Sequence, residues 1–407
     1  MLPINHVSYG STGGGAAIAA HRLHLACLGQ GLASQMTVVE GPQAEHIAPF
    51  RRSKSLRRTL QREWARHLRK KYAATQVAGL ASLAVARSGL ADHLNRQAPQ
   101  ITHLHWVNSD MISIPEIGRI RRPVVWTLHD MWAFCGAEHY TEAEGWRSGY
   151  ADSTQRGFDI NRWVWTRKRR HWISPFQIVC PSNWLASCVR ESALMRDWPV
   201  RCIPNAIDTD LWRPLDKAAA RSGLNLPHDA PMVVFGAMGG DGDPRKGFTY
   251  LKEAMMRVHA RFPDLHAIVF GSEGQSDGFP FPVHFTGPVN DTAQLQRIYS
   301  AADVFALPSR QDNLPNTGVE ALACGVPIAG FAIGGLTDLV PDPQVGHLAR
   351  PFDEANLAEG IGAILESRNS EAGLAMSAAA RRHAEQSYAA PVIAAQYAEL
   401  YQDVLAR

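Results

Sequence analysis

The stretch DVFALPSRQDNLPNTGVEALACGVPIAGF, residues 303–331, consists of two short apolar runs separated by a segment of small residues. Each apolar run is typical of a buried strand. Pro315 lacks an amide N–H and keeps its predecessor out of the helical region, so any helix here begins after it. We expect Asn316 to be the N-cap and the helix to end near Gly325. A strand, a helix and a strand in this order form the repeating unit of a parallel sheet covered by helices.

The same alternation fills the rest of the chain. Strand patterns in the first half are HVSY, QMTVV, ITHLHW, VVWTL and QIVC, and those in the second half are PMVVFGAM, LHAIVFG, VHFTG, DVFALPS and VPIAGF. The sequence predicts two Rossmann-like α/β domains, 1–203 and 204–390, that face each other across a cleft where the strands end. It leaves open whether the terminal helical pattern, 391–407, packs back on the first domain.

Composition excludes several classes of protein. The 407 residues are 45% hydrophobic and 19% charged, which is globular composition, and a net charge of +3 does not identify a nucleic-acid binder. The six cysteines form no CxxC pair and have no zinc-site spacing, so reduced thiols are expected. No signal peptide or membrane span is evident, which predicts a cytoplasmic protein.

One glycine-rich loop follows the first strand pattern of each half. In YGSTGGGAAIAAHRL, residues 9–23, Gly13, Gly14 and Gly15 let backbone amides approach an anion at a helix start, although a simple tight turn explains them equally well. In GGDGDPRKGF, residues 239–248, Arg245 and Lys246 can hold a diphosphate.

The triplet Asp241-Gly242-Asp243 resembles a metal-binding DxD motif. Two adjacent cations can already do the electrostatic work of a metal, so we expect neither a metal nor another cofactor.

The stretch WTLHDMWAFCGAEHY, residues 126–140, places His129 at the end of a strand. From there the imidazole can hydrogen-bond a substrate hydroxyl or touch the reacting centre. The alternative is a structural histidine that bonds a backbone carbonyl, and the sequence does not decide between them.

Two carboxylates, Asp312 and Glu320, accompany the predicted helix start. Asp312 lies in the preceding loop and Glu320 in or just past the first turn, so both are expected to point toward the helix N-terminus. A purely structural role for Glu320 is to complement the helix dipole.

At these residues the sequence resembles the E-x7-E region of the retaining, nucleotide-sugar-dependent GT-B glycosyltransferases of family 4. The glycine-rich loop, TLHDMWAF, CPSNWLA, IPNAIDTDLWRP, DPRKGF and HFTGPV lie in the order that this family has them. The resemblance covers essentially the whole chain and is greatest to transferases that assemble bacterial exopolysaccharide or O-antigen repeats. Asp312 departs from the family, which usually has Glu there.

The resemblance implies roles for individual residues. It implies that Glu320 binds the ribose hydroxyls and that His129, Arg245, Lys246 and Asp312 form the catalytic set. The other implied donor contacts are Gly14, Gly15, Gly287, Val289, Asn313, Leu314, Asn316 and Thr317. Acceptor-side residues are predicted to be Trp106, Asn108, Trp132 and Tyr140.

Two basic segments suggest where an acceptor is held. Residues 50–72 carry ten Lys or Arg against one Glu, with Leu56, Leu60, Trp64, Leu68 and Tyr72 every four residues. Residues 162–172 interleave aromatic and cationic side chains. Both suit peripheral contact with an anionic membrane at the inner face of the plasma membrane, and a lipid-linked glycan acceptor. A solvated helix face packed on the first domain is the plainer interpretation, and nucleic acid is not expected.

A glycosyltransferase therefore fits best. A nucleotide-sugar epimerase of the same fold, a transferase with a soluble acceptor and a non-enzymatic α/β protein remain alternatives.

Overall fold

The computed structural model describes residues 4–77, 79–121, 123–236, 243–274 and 278–407. The chain forms two compact units, Met1–Ala206 with Ile393–Arg407, and Ile207–Val392. The predicted boundary after residue 203 lies three residues before this division. The end of the chain, from Ile393 onwards, belongs to the first unit.

The first unit contains a seven-stranded sheet in the order β3-β2-β1-β4-β5-β6-β7, and all the pairs are parallel. Its strands are β1 (Ile4–Gly10), β2 (Ser34–Glu40), β3 (Ile47–Pro49), β4 (Ile101–Leu104), β5 (Val124–Thr127), β6 (Gln177–Cys180) and β7 (Val200–Cys202). Its helices are α1 (Gly15–Gly29), α2 (Leu56–Leu68), α3 (Ala74–Gln76), α4 (Leu90–Gln97), α5 (Ile114–Ile117), α6 (Gly145–Ser148), α7 (Ile160–His171) and α8 (Asn183–Glu191), with a π-helical turn at Arg69–Ala73.

The second unit contains a six-stranded parallel sheet in the order β10-β9-β8-β11-β12-β13. Its strands are β8 (Met232–Gly236), β9 (His266–Phe270), β10 (Val283–Phe285), β11 (Val304–Leu307), β12 (Ile328–Phe331) and β13 (Gly346–Ala349). Its helices are α9 (Lys217–Ser222), α10 (Phe248–Arg261), α11 (Thr292–Ala301), α12 (Asn316–Ala323), α13 (Leu336–Leu339), α14 (Glu354–Ser367) and α15 (Glu371–Ser387), and α16 (Ala390–Ala406) ends the chain.

Helix α12 lies where the sequence predicted it, with one correction. Pro315, not Asn316, is the N-cap, because its extended backbone (φ −65°, ψ 123°) makes Asn316 the first helical residue. Gly318 lets the helix pack closely against both α13 and the sheet, since a Cβ there would lie 2.6 Å from a methyl of Leu339 on α13 and 3.1 Å from a methyl of Leu307 on β11. Gly325 has a positive φ of 72° just past the helix, which suits a glycine and stops the helix ahead of β12.

Candidate active site

The second unit brings two predicted segments together at the end of its sheet. Strands β8 and β11 are neighbours, and the chain leaves each of them into a loop on the same edge. The β8 loop ends in a 3₁₀ turn at Pro244–Lys246, and the β11 loop leads into α12. The amide of Arg310 donates to the carbonyl of Arg245 at 2.6 Å, so the two loops are joined through their backbones.

An ion pair links the cation of one loop to the acid of the other. Lys246 Nζ lies 2.7 Å from Asp312 Oδ2, and Asp312 Oδ1 accepts a hydrogen bond from the amide of Asn313 at 3.0 Å. The side chain of Asp312 is 12% exposed and that of Lys246 is 38% exposed. The structure therefore shows what the shorter acid does here: it holds Lys246, and its catalytic role stays a prediction.

Gly247 makes the close approach of the two loops possible. Its φ is +68°, and a Cβ at this position would lie 1.9 Å from the carbonyl oxygen of Pro308. The preceding Arg245 is paired with Asp243, its Nη2 lying 2.7 Å from Oδ2. Of the DxD triplet, Asp241 and Gly242 lie outside the described residues.

Glu320 lies one turn into α12 and is buried. The hydroxyl of Tyr299, on α11, donates to Glu320 Oε2 at 3.1 Å. This contact orients the carboxylate to which the family resemblance gives the ribose-binding role. Sequence reasoning missed Tyr299, because a tyrosine within an amphipathic helix carries no local sign of its partner.

The other predicted donor contacts of the second unit lie in the loop after β11, at the start of α12 and in the loop after β10. Asn313, Leu314 and Asn316 are buried, and Thr317 is half-buried. Leu314 packs in the core, so only its backbone can meet a ligand. Gly287 follows β10 with φ +66°, its carbonyl accepts from the amide of Gly271 at 2.9 Å, and Val289 packs partly buried against the core.

In the first unit the glycine-rich loop connects β1 to α1. Gly13 and Gly14 have φ values of 74° and 87°, and Gly14 is the N-cap of α1. A Cβ on either residue would meet nothing within 4 Å, so the backbone conformation and not crowding requires glycine. Gly13, Gly14 and Gly15 are exposed, and their contact with a phosphate stays a prediction.

His129 and Asp130 follow β5. His129 is half-buried, its Nε2 lies 3.3 Å from His105 Nδ1, and its carbonyl accepts from the hydroxyl of Tyr140 at 3.2 Å. Burial lowers the pKa of His129 to about 4, although Asp130 opposes this shift. The imidazole is therefore neutral at pH 7.

Asp130 is held by three donors. It accepts from Trp106 Nε1 at 3.0 Å and from the amide of Trp132 at 2.9 Å, and His139 Nδ1 lies 2.6 Å away. Burial raises the pKa of Asp130, but the contact with His139 and the other hydrogen bonds outweigh it, so the pKa is lowered on balance. The acid is a fixed anchor for the loop that carries His129.

The acceptor-side prediction needs correction at Trp132. Trp132 is 1% exposed, and its indole N–H donates to the carbonyl of Ser82 at 2.9 Å. Asn108 is 3% exposed. Trp132 is therefore a core residue, whereas Asn108 is about as buried as Asn313 and stays a predicted contact, and Trp106 and Tyr140 are only half-buried.

The two basic segments adjoin, but they differ in what they expose. In α2, Leu56, Leu60 and Trp64 are 76%, 60% and 50% exposed, while Leu68 is buried. Trp64 meets Trp163 of α7 edge-on, with 5.6 Å between ring centroids. The apolar stripe of α2 therefore faces solvent over most of its length.

The segment 162–172 contributes less surface than predicted. Trp165, Lys168 and Trp172 are buried. Lys168 Nζ donates to the carbonyls of Trp132, Cys135 (3.0 Å) and Gly136 (2.8 Å), and burial lowers the pKa of this ammonium to about 7. Three of the eight Trp, Lys and Arg side chains of this segment are therefore buried in the interior.

Across the described part of the chain, no helix has the length and apolar character needed to cross a bilayer.

Two protein families match the chain. Residues 14–211 match the family described as Glycosyltransferase Family 4, and residues 232–367 match the one described as Glycosyl transferases group 1. Together these segments span most of both units.

Curated relatives and solved structures show similarities of different extent. The D-inositol 3-phosphate glycosyltransferases of Mycobacterium tuberculosis and Mycobacterium bovis are 32% identical over 192 residues, which is 44% of this chain and 38% of theirs. The chain thus aligns with less than half the length of these relatives.

The solved structures cover the chain almost completely at low identity. Sucrose-phosphate synthase from Thermosynechococcus elongatus has a TM-score of 0.66 at 18% identity, covering 100% of both chains. Anabaena HepE in complex with UDP-glucose has a TM-score of 0.67 at 17% identity, covering 99% of this chain and 100% of its own. WaaG, a glycosyltransferase involved in lipopolysaccharide biosynthesis, has a TM-score of 0.63 at 14% identity, covering 98% of this chain and 99% of its own. At these identities the likeness is one of fold.

Proposed function

We propose that this chain, which belongs to the group 1, family 4 glycosyltransferases and has their GT-B fold, moves a sugar from a nucleotide diphosphate sugar to an acceptor hydroxyl with retention of anomeric configuration. The observation that carries the proposal is the junction of the two loops of the second unit. There Arg245, Lys246 and Asp312 stand beside the start of α12, with Glu320 one turn further on.

The chemistry follows from charge. As the glycosidic bond to the diphosphate breaks, negative charge develops on the leaving phosphate oxygen. Arg245 and Lys246 stabilise it, and each such donor is worth about 10²–10³ in rate. The acceptor oxygen bonds to the anomeric carbon on the face that the diphosphate leaves, and its proton passes to the leaving phosphate oxygen. The products are the glycoside and the nucleoside diphosphate.

We propose that no metal is needed, because Arg245 and Lys246 can together compensate the charge of a bound diphosphate. In the described part of the motif, Asp243 is engaged with Arg245. Activity that survives exhaustive chelation supports this proposal. Activity that is lost with chelator and restored by Mg²⁺ or Mn²⁺ contradicts it.

The nature of the acceptor is the finer part of the proposal. The exposed stripe of Leu56, Leu60 and Trp64, on a helix rich in arginine, suits an anionic bilayer and favours a lipid-linked glycan of a surface polysaccharide. Each basic residue near such a surface adds about 1 kcal/mol. The protein would then act as a peripheral protein at the inner face of the plasma membrane.

A soluble acceptor is the alternative, and one observation favours it: the curated relatives are named for D-inositol 3-phosphate. Sedimentation with anionic liposomes separates the two. We expect wild type to bind at low salt and Leu60→Ser with Trp64→Ser to bind much less. Leu25→Ser, which replaces a leucine 52% exposed on α1, is the matched control. Equal binding of all variants, or none by wild type, contradicts the membrane proposal.

Incubation with a panel of nucleotide sugars and acceptors tests the transfer itself. We expect nucleoside diphosphate and a glycoside whose anomeric configuration matches the donor. An epimerase would instead convert the donor sugar without an acceptor, and an inverted product would contradict retention.

A further inference from the structure

A row of histidines lies inside the first unit, on and just beyond β1, β4 and β5. His6 is on β1, His103 is on β4, His105 follows β4 and His129 follows β5. The rings of His6 and His105 lie 5.3 Å apart, and those of His105 and His129 lie 5.6 Å apart. His6, His103 and His105 are buried, whereas His129, at the end of the row, is half-buried.

Three of these rings form a hydrogen-bonded chain. His6 Nδ1 lies 3.0 Å from His105 Nε2, and His105 Nδ1 lies 3.3 Å from His129 Nε2. His105 thus uses both nitrogens on other imidazoles. His103 stands apart, since its two nitrogens contact the hydroxyls of Tyr401 at 2.7 Å and Thr127 at 2.8 Å.

Each of these three hydrogen-bonded imidazole rings carries one N–H at pH 7. Burial, aided by the neighbouring histidines, holds the pKa of His6 and His105 well below the ordinary value. A neutral imidazole has one donor and one acceptor nitrogen. Each of the two contacts needs one proton, so His105 must donate to one neighbour and accept from the other.

Only two proton arrangements satisfy this condition. In one, His105 Nε2–H donates to His6 Nδ1, so the single N–H of His6 is at Nε2. In the other, His6 Nδ1–H donates to His105 Nε2, and His105 Nδ1–H donates to His129 Nε2. The single N–H of His129 is then at Nδ1. His6 Nε2 is buried and has no hydrogen-bond partner among the described residues. Buried N–H groups without acceptors are rarer than unpaired acceptors, which favours the second arrangement.

We infer that His6 and His105 are positioning residues that hold His129 as the Nδ1–H tautomer. His129 then presents a hydrogen-bond donor, not a base, to an oxygen atom of its ligand. The identity of that ligand as a sugar rests on the proposed function, but the tautomer does not.

A metal site is the competing explanation, because single nitrogens of His6, His103 and His105 lie within 4.8 Å of one another. The rings of His103 and His105 are stacked, with an angle of 29° between their planes and 4.3 Å between centroids. The nitrogen lone pairs of stacked rings point in nearly parallel directions, whereas the lone pairs around a tetrahedral zinc all point at one ion, with Zn–N distances of about 2.0–2.1 Å. Both nitrogens of His103 also already have hydroxyl partners.

Long-range ¹H–¹⁵N correlation spectra of the histidine-labelled protein read the tautomers directly, without substrate. Loss of one signal set in His129→Gln gives the assignment, and His46→Gln, at an exposed histidine, is the control. We expect an N–H at Nδ1 of His129 and a bare Nε2. An N–H at Nε2, or averaging of the two forms, would overturn the inference, as would a stoichiometric transition metal in the purified protein by mass spectrometry.

Three substitutions at position 129, to Asn, Asp and Ala, test the consequence for activity. Asn places an amide N–H close to where Nδ1–H stands, whereas Asp offers only acceptors. We expect Ala and Asp to lower kcat by about tenfold or more, the worth of one hydrogen bond, and Asn to lower it less. Asn as inactive as Asp would contradict the donor role. Inactivity of wild type on every nucleotide sugar would instead refute the proposed function and leave the spectra standing.

Discussion

The pair Lys246–Asp312 gives the most informative perturbation of the proposed donor site. We consider Lys246→Ala, Asp312→Ala and the double variant. Because the lysine side chain is 38% exposed, the pair should contribute no more than about 1 kcal/mol to the free energy of unfolding. Loss of a cation that faces the developing charge of a diphosphate should instead cost about 10²–10³ in kcat. Activity and stability are therefore expected to separate.

The double variant adds a second, quantitative expectation. In Lys246→Ala the carboxylate of Asp312 loses its partner and repels a bound diphosphate. At a separation of about 10 Å and an effective dielectric constant of about 20, one pair of unit charges repels by about 1.7 kcal/mol. Removing Asp312 as well should recover about 10–20-fold of the lost activity if its carboxylate only holds Lys246, and should recover none if that carboxylate also contacts the reacting sugar.

The assay is steady-state release of nucleoside diphosphate, with urea unfolding of each variant in parallel. Lys217→Ala is the matched control, because Lys217 also pairs with an acid, Asp303, at 2.8 Å and is 45% exposed, on α9. We expect its activity to be that of wild type. A loss of less than tenfold in Lys246→Ala would refute the electrostatic account, and Asp312→Ala as active as wild type would exclude a catalytic role for that side chain.

Three further outcomes follow from the packing. Gly247→Ala should lower the free energy of unfolding by about 1–3 kcal/mol in urea titrations, because the residue has φ +68° and faces a carbonyl oxygen; an unchanged midpoint would contradict this. Tyr299→Phe should lower the free energy of unfolding by about 1–3 kcal/mol, because it removes the hydroxyl that donates to Glu320 Oε2, and it should weaken nucleotide binding; wild-type affinity would argue against Glu320 as a ligand. Burial lowers the pKa of His103 to about 3 and that of His129 to about 4, below the value of about 6.5 in the unfolded chain. Between these values the unfolded chain binds more protons than the folded one, so the free energy of unfolding should fall as the pH drops from 6.5 towards 4, by up to about 1.4 kcal/mol per pH unit for each histidine. Urea midpoints that stay constant over this pH range would contradict this expectation.

Much of the fold is readable from local pattern. Apolar runs of β-branched residues predicted ten strands because strands buried on both faces have such runs. The strands β3, β7 and β13 escaped notice because IAP, VRC and GHLA are short and carry little of that signal. Pro315 located the start of α12 to within one residue, since its effect is local.

Contacts between distant positions explain what the sequence could not give. Asp312 and Lys246 are 66 positions apart, and Tyr299 and Glu320 are on different helices. Trp132 looked like a ligand contact because it follows His129, but it packs against the ammonium of Lys168, which itself looked like surface charge. In each case tertiary packing, which a periodicity cannot encode, decided the environment.

Binding of the donor tests the central claim most directly. Thermal unfolding and calorimetric titration of wild type and Lys246→Ala would be followed against a panel of nucleoside diphosphates and their sugars. We expect that at least one nucleotide sugar stabilises wild type, that its diphosphate is released only when an acceptor is present, and that Lys246→Ala weakens binding while it stays folded. Failure of every nucleotide sugar and diphosphate to bind wild type would contradict it.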